Sequence, residues 1–216
     1  MSNFRLLNPD AVLIHIPKTG GKSFREGLWN GQYDGPVFGN IPKEWQPLFK
    51  FGFVRHPCDR LVSAWKMFSD GAVSVSGGNR VVRGAKSLAA QLGLWRSVEP
   101  HNKGMSLSSF LDIVEDETIT YDVSSADSSM VAARIRHHTI PMSHPYNCLR
   151  EADFVGRYEN LAVDFKIVAD RLGIMDPLPK LNTTKRGDWR QYMSAEVIDR
   201  CRHYYAEDFE AFDYKI

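Results

Sequence analysis

The sequence of 216 residues contains few cysteines: Cys58, Cys148 and Cys201 lie far apart and form no C-x-x-C pair. No histidine stands at zinc-finger spacing from any of them. A disulfide framework and a structural zinc site are therefore not expected, and this cysteine content is typical of a protein from a reducing compartment.

Long hydrophobic runs are also missing from the sequence. No segment has the run of about 18 apolar residues that a membrane-spanning helix needs. Residues 1–10 contain one arginine and no apolar core, so a signal peptide is not expected either. These absences predict a cytoplasmic protein without a membrane span.

Charge of one sign is not in excess. Lys and Arg number 27 against 26 Asp and Glu, a net charge of +1. This balance gives no reason to expect a nucleic-acid partner, so any selectivity for anions must be local. Hydrophobic residues make up 43% and charged residues 25% of the sequence, as in ordinary globular proteins, and we expect one domain over residues 1–216.

Short apolar segments alternate with helical patterns along the chain. Residues 11–16 (AVLIHI), 51–54 (FGFV) and 153–156 (DFVG) are typical of buried strands, and His15 is expected to be a packed side chain. Each is followed by apolar residues at helical spacing. After the second strand, the residues expected to form the buried helix face are Leu61, Trp65 and Phe68. This order predicts an α/β fold, a P-loop-like central parallel β-sheet flanked by helices.

Local signals predict several boundaries between these elements. Asp59 is a candidate N-cap for the helix after the second strand, and Arg60 is expected to be structural, pairing locally with Asp59. Gly173 is expected to close the helix after the third strand. Ser194 is expected to begin the last helix. Residues 71–84 contain four glycines and little periodicity, which predicts a mobile surface loop. Residues 85–138 are expected to be mainly helical.

A glycine-rich turn follows the first predicted strand at residues 16–23 (IPKTGGKS). Two glycines let the backbone turn tightly, so that successive N–H groups point at one spot near the start of a helix. Lysines add positive charge there, and hydroxyl groups can donate hydrogen bonds. The candidate anion ligands of this loop are Lys18, Thr19, Gly20, Gly21, Lys22 and Ser23.

This loop does not complete the nucleoside-triphosphate motif G-x-x-x-x-G-K-[ST], because Ile16 stands where the first glycine is required. The second strand ends at Arg55, whereas that class of site needs an aspartate there for Mg²⁺. Arg55 and Ser63, one turn into the next helix, can instead bind one phosphate. Adjacent parallel strands lie about 4.8 Å apart. The two loops therefore suit a nucleotide with phosphates at both ends, and no metal site is expected.

Both segments resemble the nucleotide motifs of sulfotransferases that use 3′-phosphoadenosine 5′-phosphosulfate (PAPS), particularly the carbohydrate-type, family 2-like group. Residues 16–24 are similar to I-P-K-T-G-G-T-S-F, with Lys22 in place of the second threonine. Residues 53–64 match F-V-R-x-P-x-D-R-L-V-S-A, and residues 153–161 resemble D-F-I-G-R-x-E-N-L. The resemblance covers most of the chain and is weakest between residues 71 and 121.

The resemblance implies a PAPS-dependent sulfotransferase (EC 2.8.2 type) that moves a sulfuryl group to an acceptor hydroxyl, with a saccharide as the expected acceptor. It assigns the loop at residues 18–23 to the 5′-phosphosulfate, and Arg55 and Ser63 to the 3′-phosphate. Arg186 and Gly187 resemble a basic glycine loop that closes over the 3′-phosphate. Lys18 would neutralise charge on the leaving oxygen, and adenosine 3′,5′-bisphosphate (PAP) would be the product.

The general base is harder to place, since relatives of this type carry a His or a carboxylate after the first helix. Residues 30–50 contain no His, and Asp34 and Glu44 are their only carboxylates. His138, in an H-x-x-P segment that resembles one in the family, is our candidate base. The alternative is that His137 and His138 only cap or pack a helix end.

Two other functions stay open at the sequence level. One is a small-molecule kinase with a degenerate phosphate loop, and the other is a non-catalytic domain that binds a nucleotide or a glycan. Four arginines favour an anionic acceptor, although charged side chains of this kind more often belong to the solvated surface. They are Arg80, Arg83, Arg134 and Arg136.

Overall fold

The computed structural model describes residues 2–69, 104–123, 131–179 and 187–216. The mobile loop expected at residues 71–84 lies outside the described residues, as do residues 85–103 of the helical region and Arg186. In the described ranges, no helix combines the length and the apolar character that crossing a membrane requires.

The described elements include five strands, six α-helices and several short helical segments. The strands are β1 (Ser2–Leu6), β2 (Ala11–His15), β3 (Tyr33–Phe38), β4 (Lys50–Val54) and β5 (Phe154–Arg157). The α-helices are α1 (Pro57–Ser69), α2 (Leu107–Glu115), α3 (Val131–Thr139), α4 (Leu161–Leu172), α5 (Ala195–Tyr204) and α6 (Ala206–Ala211). A π-helical segment covers Ser23–Leu28, and 3₁₀ turns cover Lys43–Trp45, Pro145–Asn147, Leu149–Glu151, Tyr158–Asn160 and Trp189–Tyr192.

The strands form a single mixed sheet in the order β3-β1-β2-β4-β5. β2, β4 and β5 are parallel, which confirms the three predicted strands and their direction. β1 pairs antiparallel with both β2 and β3, so the expectation of a purely parallel sheet was wrong for this half. β3 contains Gly35 and Pro36, residues typical of turns, and β3 can hold a proline because it is an edge strand.

The inner parallel strands, β2 and β4, are covered on both faces. Val12 and Ile14 of β2 belong to one apolar cluster, whereas Leu13 packs on the opposite face in a cluster with Phe51 and Phe53. This second cluster also holds α4. Strands buried on both faces consist of nearly continuous apolar residues, which is why β2 and β4 could be recognised in the sequence.

A third cluster joins the helices to one another. Leu61 and Phe68 of α1 are buried in it, as predicted, beside Phe110 of α2 and Ile135 of α3. Trp65 is only partly buried at the edge of this cluster. The inner face of α1 therefore connects the nucleotide motif to α2 and α3.

Two of the three predicted helix-capping residues are confirmed. Gly173 has a left-handed backbone (φ 69°) at the end of α4, and the Ser194 hydroxyl accepts a hydrogen bond from Val197 N at the start of α5. Asp59, however, is not an N-cap, because α1 already begins at Pro57. Proline suits the first turn of a helix, where its missing N–H is not needed. Ser63 consequently lies in the second turn of α1.

Arg60 has a structural role, but not the pairing with Asp59 that its position suggested. Its side chain is almost fully buried and donates hydrogen bonds to the carbonyl oxygens of His138, Thr139 and Ile140. It thereby fixes the C-terminal end of α3 to α1.

Candidate functional site

The two predicted anion-binding loops leave the sheet at the same edge. Ile14 pairs with Gly52, and Val54 pairs with Arg157, so β2, β4 and β5 all end on one side of the sheet. The strand ends do not diverge: Arg55 Nη1 donates a hydrogen bond to the carbonyl oxygen of Lys18 over 2.8 Å. In open α/β sheets, ligands bind at this carboxyl edge of the strands.

The loop after β2 is tightly turned. Lys18 and Gly20 have positive φ angles of 72° and 93°, and Ser23 N donates to Gly20 O over 2.8 Å. The Thr19 hydroxyl donates a hydrogen bond to Ile16 O over 2.7 Å and thereby stabilises the turn. We expected this hydroxyl to donate to a ligand, but here its hydrogen is used within the loop. Ser23 is buried, whereas Lys22 is exposed.

The imidazole ring of His15 packs so closely against Gly21 that there is no room for a side chain at position 21. A Cβ atom at this position would lie 2.1 Å from His15 Cδ2, which is far inside contact distance. The His15 ring is packed, as predicted, and burial lowers its pKa well below the ordinary value. It is therefore uncharged, and it fixes the path of the loop backbone.

Lys18 lies beside the candidate base. Its Nζ is 3.5 Å from the Met67 sulfur near the end of α1, and the His138 ring packs edge-on against the adjacent Phe68 with centroids 5.4 Å apart. Burial lowers the pKa of His138 to about 4, and the positive charge of Lys18 acts in the same direction. The positive charge of Lys18 therefore acts on His138, and the catalytic roles of both residues stay predictions.

The two neighbouring histidines have different surroundings. His138 is half-buried, and its Nδ1 lies 2.8 Å from Arg134 O, so Nδ1 carries the proton and Nε2 keeps its lone pair. His137 is buried, with Nδ1 3.0 Å from Tyr121 O and its ring against Phe38. These contacts fit the packing role for His137, and the bond of His138 to its own helix also fits the capping alternative, so the role of His138 as base stays a prediction.

Arg55 is held by a carboxylate. Its side chain is 7% exposed, and both Nε and Nη2 lie 2.6 Å from Asp59 Oδ2. The Tyr158 ring faces the guanidinium carbon at 4.1 Å. Among the described residues, the contacts to Asp59 and Lys18 use three of the five N–H donors of arginine. Binding of a phosphate by Arg55 stays a prediction, and such a ligand must share the guanidinium with Asp59.

A cavity of about 570 Å³ lies next to Arg55. The His56 ring is stacked on Trp189 with centroids 4.9 Å apart, and Gly187 is part of the same wall. The predicted pair Arg55 and Gly187 therefore lines a common space, whereas Ser63 is buried in α1 and does not line it. The lining consists of Arg55, His56, Asp59, Glu159, Gly187, Asp188, Trp189 and Arg190.

A second cavity of about 430 Å³ lies on the side of His137. Tyr121 and Tyr146 line it with ring centroids 5.2 Å apart, and the Tyr146 hydroxyl donates to Asp122 over 2.9 Å. The remaining lining residues are Glu117, Thr118, Ile119 and Thr120. Its described walls thus combine aromatic rings with carboxylates and hydroxyl groups.

Arg136 does not support an anionic acceptor. Its side chain is buried and donates hydrogen bonds to the carbonyl oxygens of Val114 and Ile119. Arg80 and Arg83 lie outside the described residues.

For three residues at this edge of the sheet, the sequence analysis gave either no role or the wrong role. Asp59 binds Arg55, and Tyr158 covers it. Glu159 accepts hydrogen bonds from His56 N (2.7 Å) and from the Tyr214 hydroxyl (2.9 Å). Tyr158 and Glu159 directly follow the third parallel strand. This position is the signal that could have identified them.

Within the parts of the chain that the structure describes, no group of three or more His, Cys, Asp or Glu side chains is arranged to hold a metal ion.

A family model described as the sulfotransferase family matches residues 38–215. The match includes Arg55, Asp59, His138 and Tyr158, whereas the loop at residues 16–23 precedes it. Neither the curated proteins nor the solved structures compared with the chain give a match.

Proposed function

Because the chain belongs to the sulfotransferase family, we propose that it transfers a sulfuryl group from PAPS to a hydroxyl group of a carbohydrate. The observation that carries this proposal is the convergence of the two predicted anion-binding loops at adjacent strand ends. The backbone carbonyl of Lys18 and the guanidinium of Arg55 are joined by a hydrogen bond of 2.8 Å, and the charge of Lys18 acts on His138.

The residues present fit a nucleotide with two anionic ends. Gly20 and Gly21 carry no side chains of their own, and Lys18 and Lys22 add positive charge for the 5′-phosphosulfate. The cavity between Arg55 and Gly187 is of the size that small-molecule ligands occupy, roughly 300–1,000 Å³, and it suits the 3′-phosphate end.

Sulfuryl transfer resembles phosphoryl transfer, in which the protein mainly positions the reactants and stabilises developing charge. Lys18 supplies a positive charge where the leaving oxygen becomes negative. His138 Nε2 can accept the proton of the attacking hydroxyl, because its Nδ1–H is held by Arg134 O. Arg60 fixes the helix end that carries His138.

The second cavity supports a saccharide acceptor. Sugar rings pack their C–H faces on aromatic side chains, which Tyr121 and Tyr146 offer, and their hydroxyl groups can donate to Asp122. His137 connects this cavity to the base, since its Nδ1 contacts Tyr121 O and its ring is 5.6 Å from that of His138. The carboxylates of this cavity favour a neutral sugar over a polyanion.

Replacement of His138 by asparagine should lower the transfer rate by a factor of roughly 10² to 10⁴, the usual contribution of a general base. Its pKa of about 4 keeps the imidazole neutral, so the wild-type rate should be flat from pH 6 to 8 and fall only as the pH drops through about 4. The measurement is a pH profile of ³⁵S transfer. His203→Asn, a change on the exposed face of α5, should keep the wild-type profile.

The nucleotide assignment is tested by thermal shift with PAP, AMP and ATP, each with and without Mg²⁺. A ligand at 100 times its dissociation constant stabilises a protein by about 2.7 kcal/mol, which is roughly 5–10 °C for this chain length. We expect this shift with PAP, independent of Mg²⁺, and a much smaller one in Arg55→Ala. Arg5→Ala, which removes a half-exposed surface arginine, is the control.

Equal shifts with AMP and PAP would contradict the 3′-phosphate site at Arg55. A shift with ATP that requires Mg²⁺ would favour the kinase instead. A PAP shift without sulfuryl transfer to a panel of neutral oligosaccharides would favour the non-catalytic nucleotide-binding domain.

A further inference from the structure

Two of the three cysteines meet in the core. Cys58 is the second residue of α1, and Cys201 lies in α5, 143 positions later in the chain. Their Sγ atoms are 3.2 Å apart, and both side chains are 0% exposed. The sequence analysis did not predict this contact, because the two cysteines lie far apart in the chain. Their positions in the sequence do not show that the two helices pack against each other.

We propose that Cys58 and Cys201 form an oxidation site, at which a peroxide converts the two thiols into a disulfide that joins α1 to α5. The bond length of a disulfide is about 2.05 Å, so the sulfur atoms need to approach by only about 1.2 Å. This inference does not depend on the nucleotide or the acceptor of the proposed reaction.

The environment of Cys58 makes it the attacking sulfur. The hydrogen bond with Cys201 lowers the pKa of Cys58, and His56 acts in the same direction. Its place in the first turn of a 13-residue helix also favours a thiolate. The same hydrogen bond, together with burial, raises the pKa of Cys201, which therefore stays a thiol.

The two-step reaction balances with hydrogen peroxide as the oxidant. The Cys58 thiolate attacks one peroxide oxygen, the O–O bond breaks, and the departing hydroxide takes up a proton to give water, so that Cys58 becomes a sulfenic acid. The Cys201 sulfur then attacks Cys58 Sγ, the S–O bond breaks, and hydroxide leaves with the proton of the Cys201 thiol as a second water. Two electrons pass from the thiols to the peroxide.

A cavity lies close to the pair in the chain, although neither cysteine lines it. His56, two residues before Cys58, lines the cavity of about 570 Å³ together with Trp189. The same cavity lies between the start of α1 and the segment Gly187–Arg190 that precedes α5. A bond between α1 and α5 would therefore fix the elements that carry its two walls.

The test is mild peroxide treatment of the full-length reduced protein. We expect the intact mass to decrease by two hydrogen atoms and a non-reduced digest to contain the peptides of Cys58 and Cys201 joined. Because the bond closes a loop of 143 residues, the thermal midpoint should rise by about 10 °C and return to its starting value with dithiothreitol.

Cys148→Ser is the matched control, since Cys148 is also buried but lies elsewhere, and it should oxidise as the wild type does. Cys58→Ser and Cys201→Ser should show neither the mass change nor the thermal shift. If either variant does not fold, the digest of the oxidised wild-type protein still shows whether Cys58 and Cys201 are joined. A peptide linked through Cys148, a disulfide-linked dimer, a sulfinic acid at Cys58 or an unchanged mass would each overturn the proposal.

Discussion

Lys18→Ala is expected to reduce the rate of sulfuryl transfer roughly a hundred- to thousandfold, which corresponds to about 3 to 4 kcal/mol of transition-state stabilisation. The backbone of Lys18 lies where both predicted anion loops meet, and its half-buried side chain places the ammonium group against Met67. Its charge is worth more there than in water, because the surroundings are less polar. The measurement is the turnover of ³⁵S-labelled PAPS at saturating donor.

The backbone of Lys18 complicates this variant, since its φ angle of 72° is unfavourable for any residue with a side chain. We therefore pair Lys18→Ala with Lys18→Gly, which removes the ammonium and also relieves the backbone. Both variants should lose activity to the same extent. Lys166→Ala, at an exposed site on α4, should keep full activity. An active Lys18→Gly enzyme would show that the loop conformation, and not the ammonium, matters.

Arg60→Ala is expected to destabilise the fold by about 3–5 kcal/mol, the usual cost of removing one partner from a buried charged network. The guanidinium donates to three consecutive carbonyl oxygens over 3.2, 3.1 and 2.6 Å, and it is 1% exposed. Its loss removes these hydrogen bonds from His138 O and Ile140 O, whereas Thr139 O keeps the one donated by the Tyr205 hydroxyl. It also withdraws a positive charge from the neighbourhood of the buried Asp208 carboxylate. The measurement is the free energy of unfolding in urea.

Arg5→Ala provides the contrast, because Arg5 forms a half-exposed ion pair with Asp10. Surface pairs of this kind contribute little to stability, because water and salt screen them. If both variants lost the same free energy of unfolding, the hydrogen bonds of Arg60 to the carbonyl oxygens would stabilise the fold no more than a surface ion pair does. Nucleotide binding should survive in any folded Arg60→Ala protein, since Arg60 does not line the cavity at Arg55.

The parts of the fold that could be predicted are those with a regular apolar pattern. β2 and β4 consist of nearly continuous apolar residues, and α4 has a regular apolar stripe that ends at Gly173. β1 and β3 escaped prediction because neither is a continuous apolar run: β1, inside the sheet, includes Asn3 and Arg5, and β3 is an edge strand. β3 is largely exposed and contains a proline, so the sequence favours a turn at that place.

In the candidate site, sequence indicated which residues gather but not which atoms they contact. Arg55 and Gly187 line one cavity, as the motifs suggested. Arg60, however, was expected to pair with its neighbour Asp59, which instead binds Arg55. A short segment offers several possible partners at once, and the choice between them depends on elements that are distant in the chain.

The ion pair of Arg55 with Asp59 has a consequence for ligand selectivity. Asp59 is a resident anion, so an incoming group with a single negative charge gains little by competing for the same guanidinium. A phosphate monoester carries up to two charges, and its second proton dissociates near pH 6. The ion pair should therefore favour binding of terminal phosphates over phosphodiesters. This selectivity should decrease in mildly acidic solution, where the phosphate monoester loses its second charge.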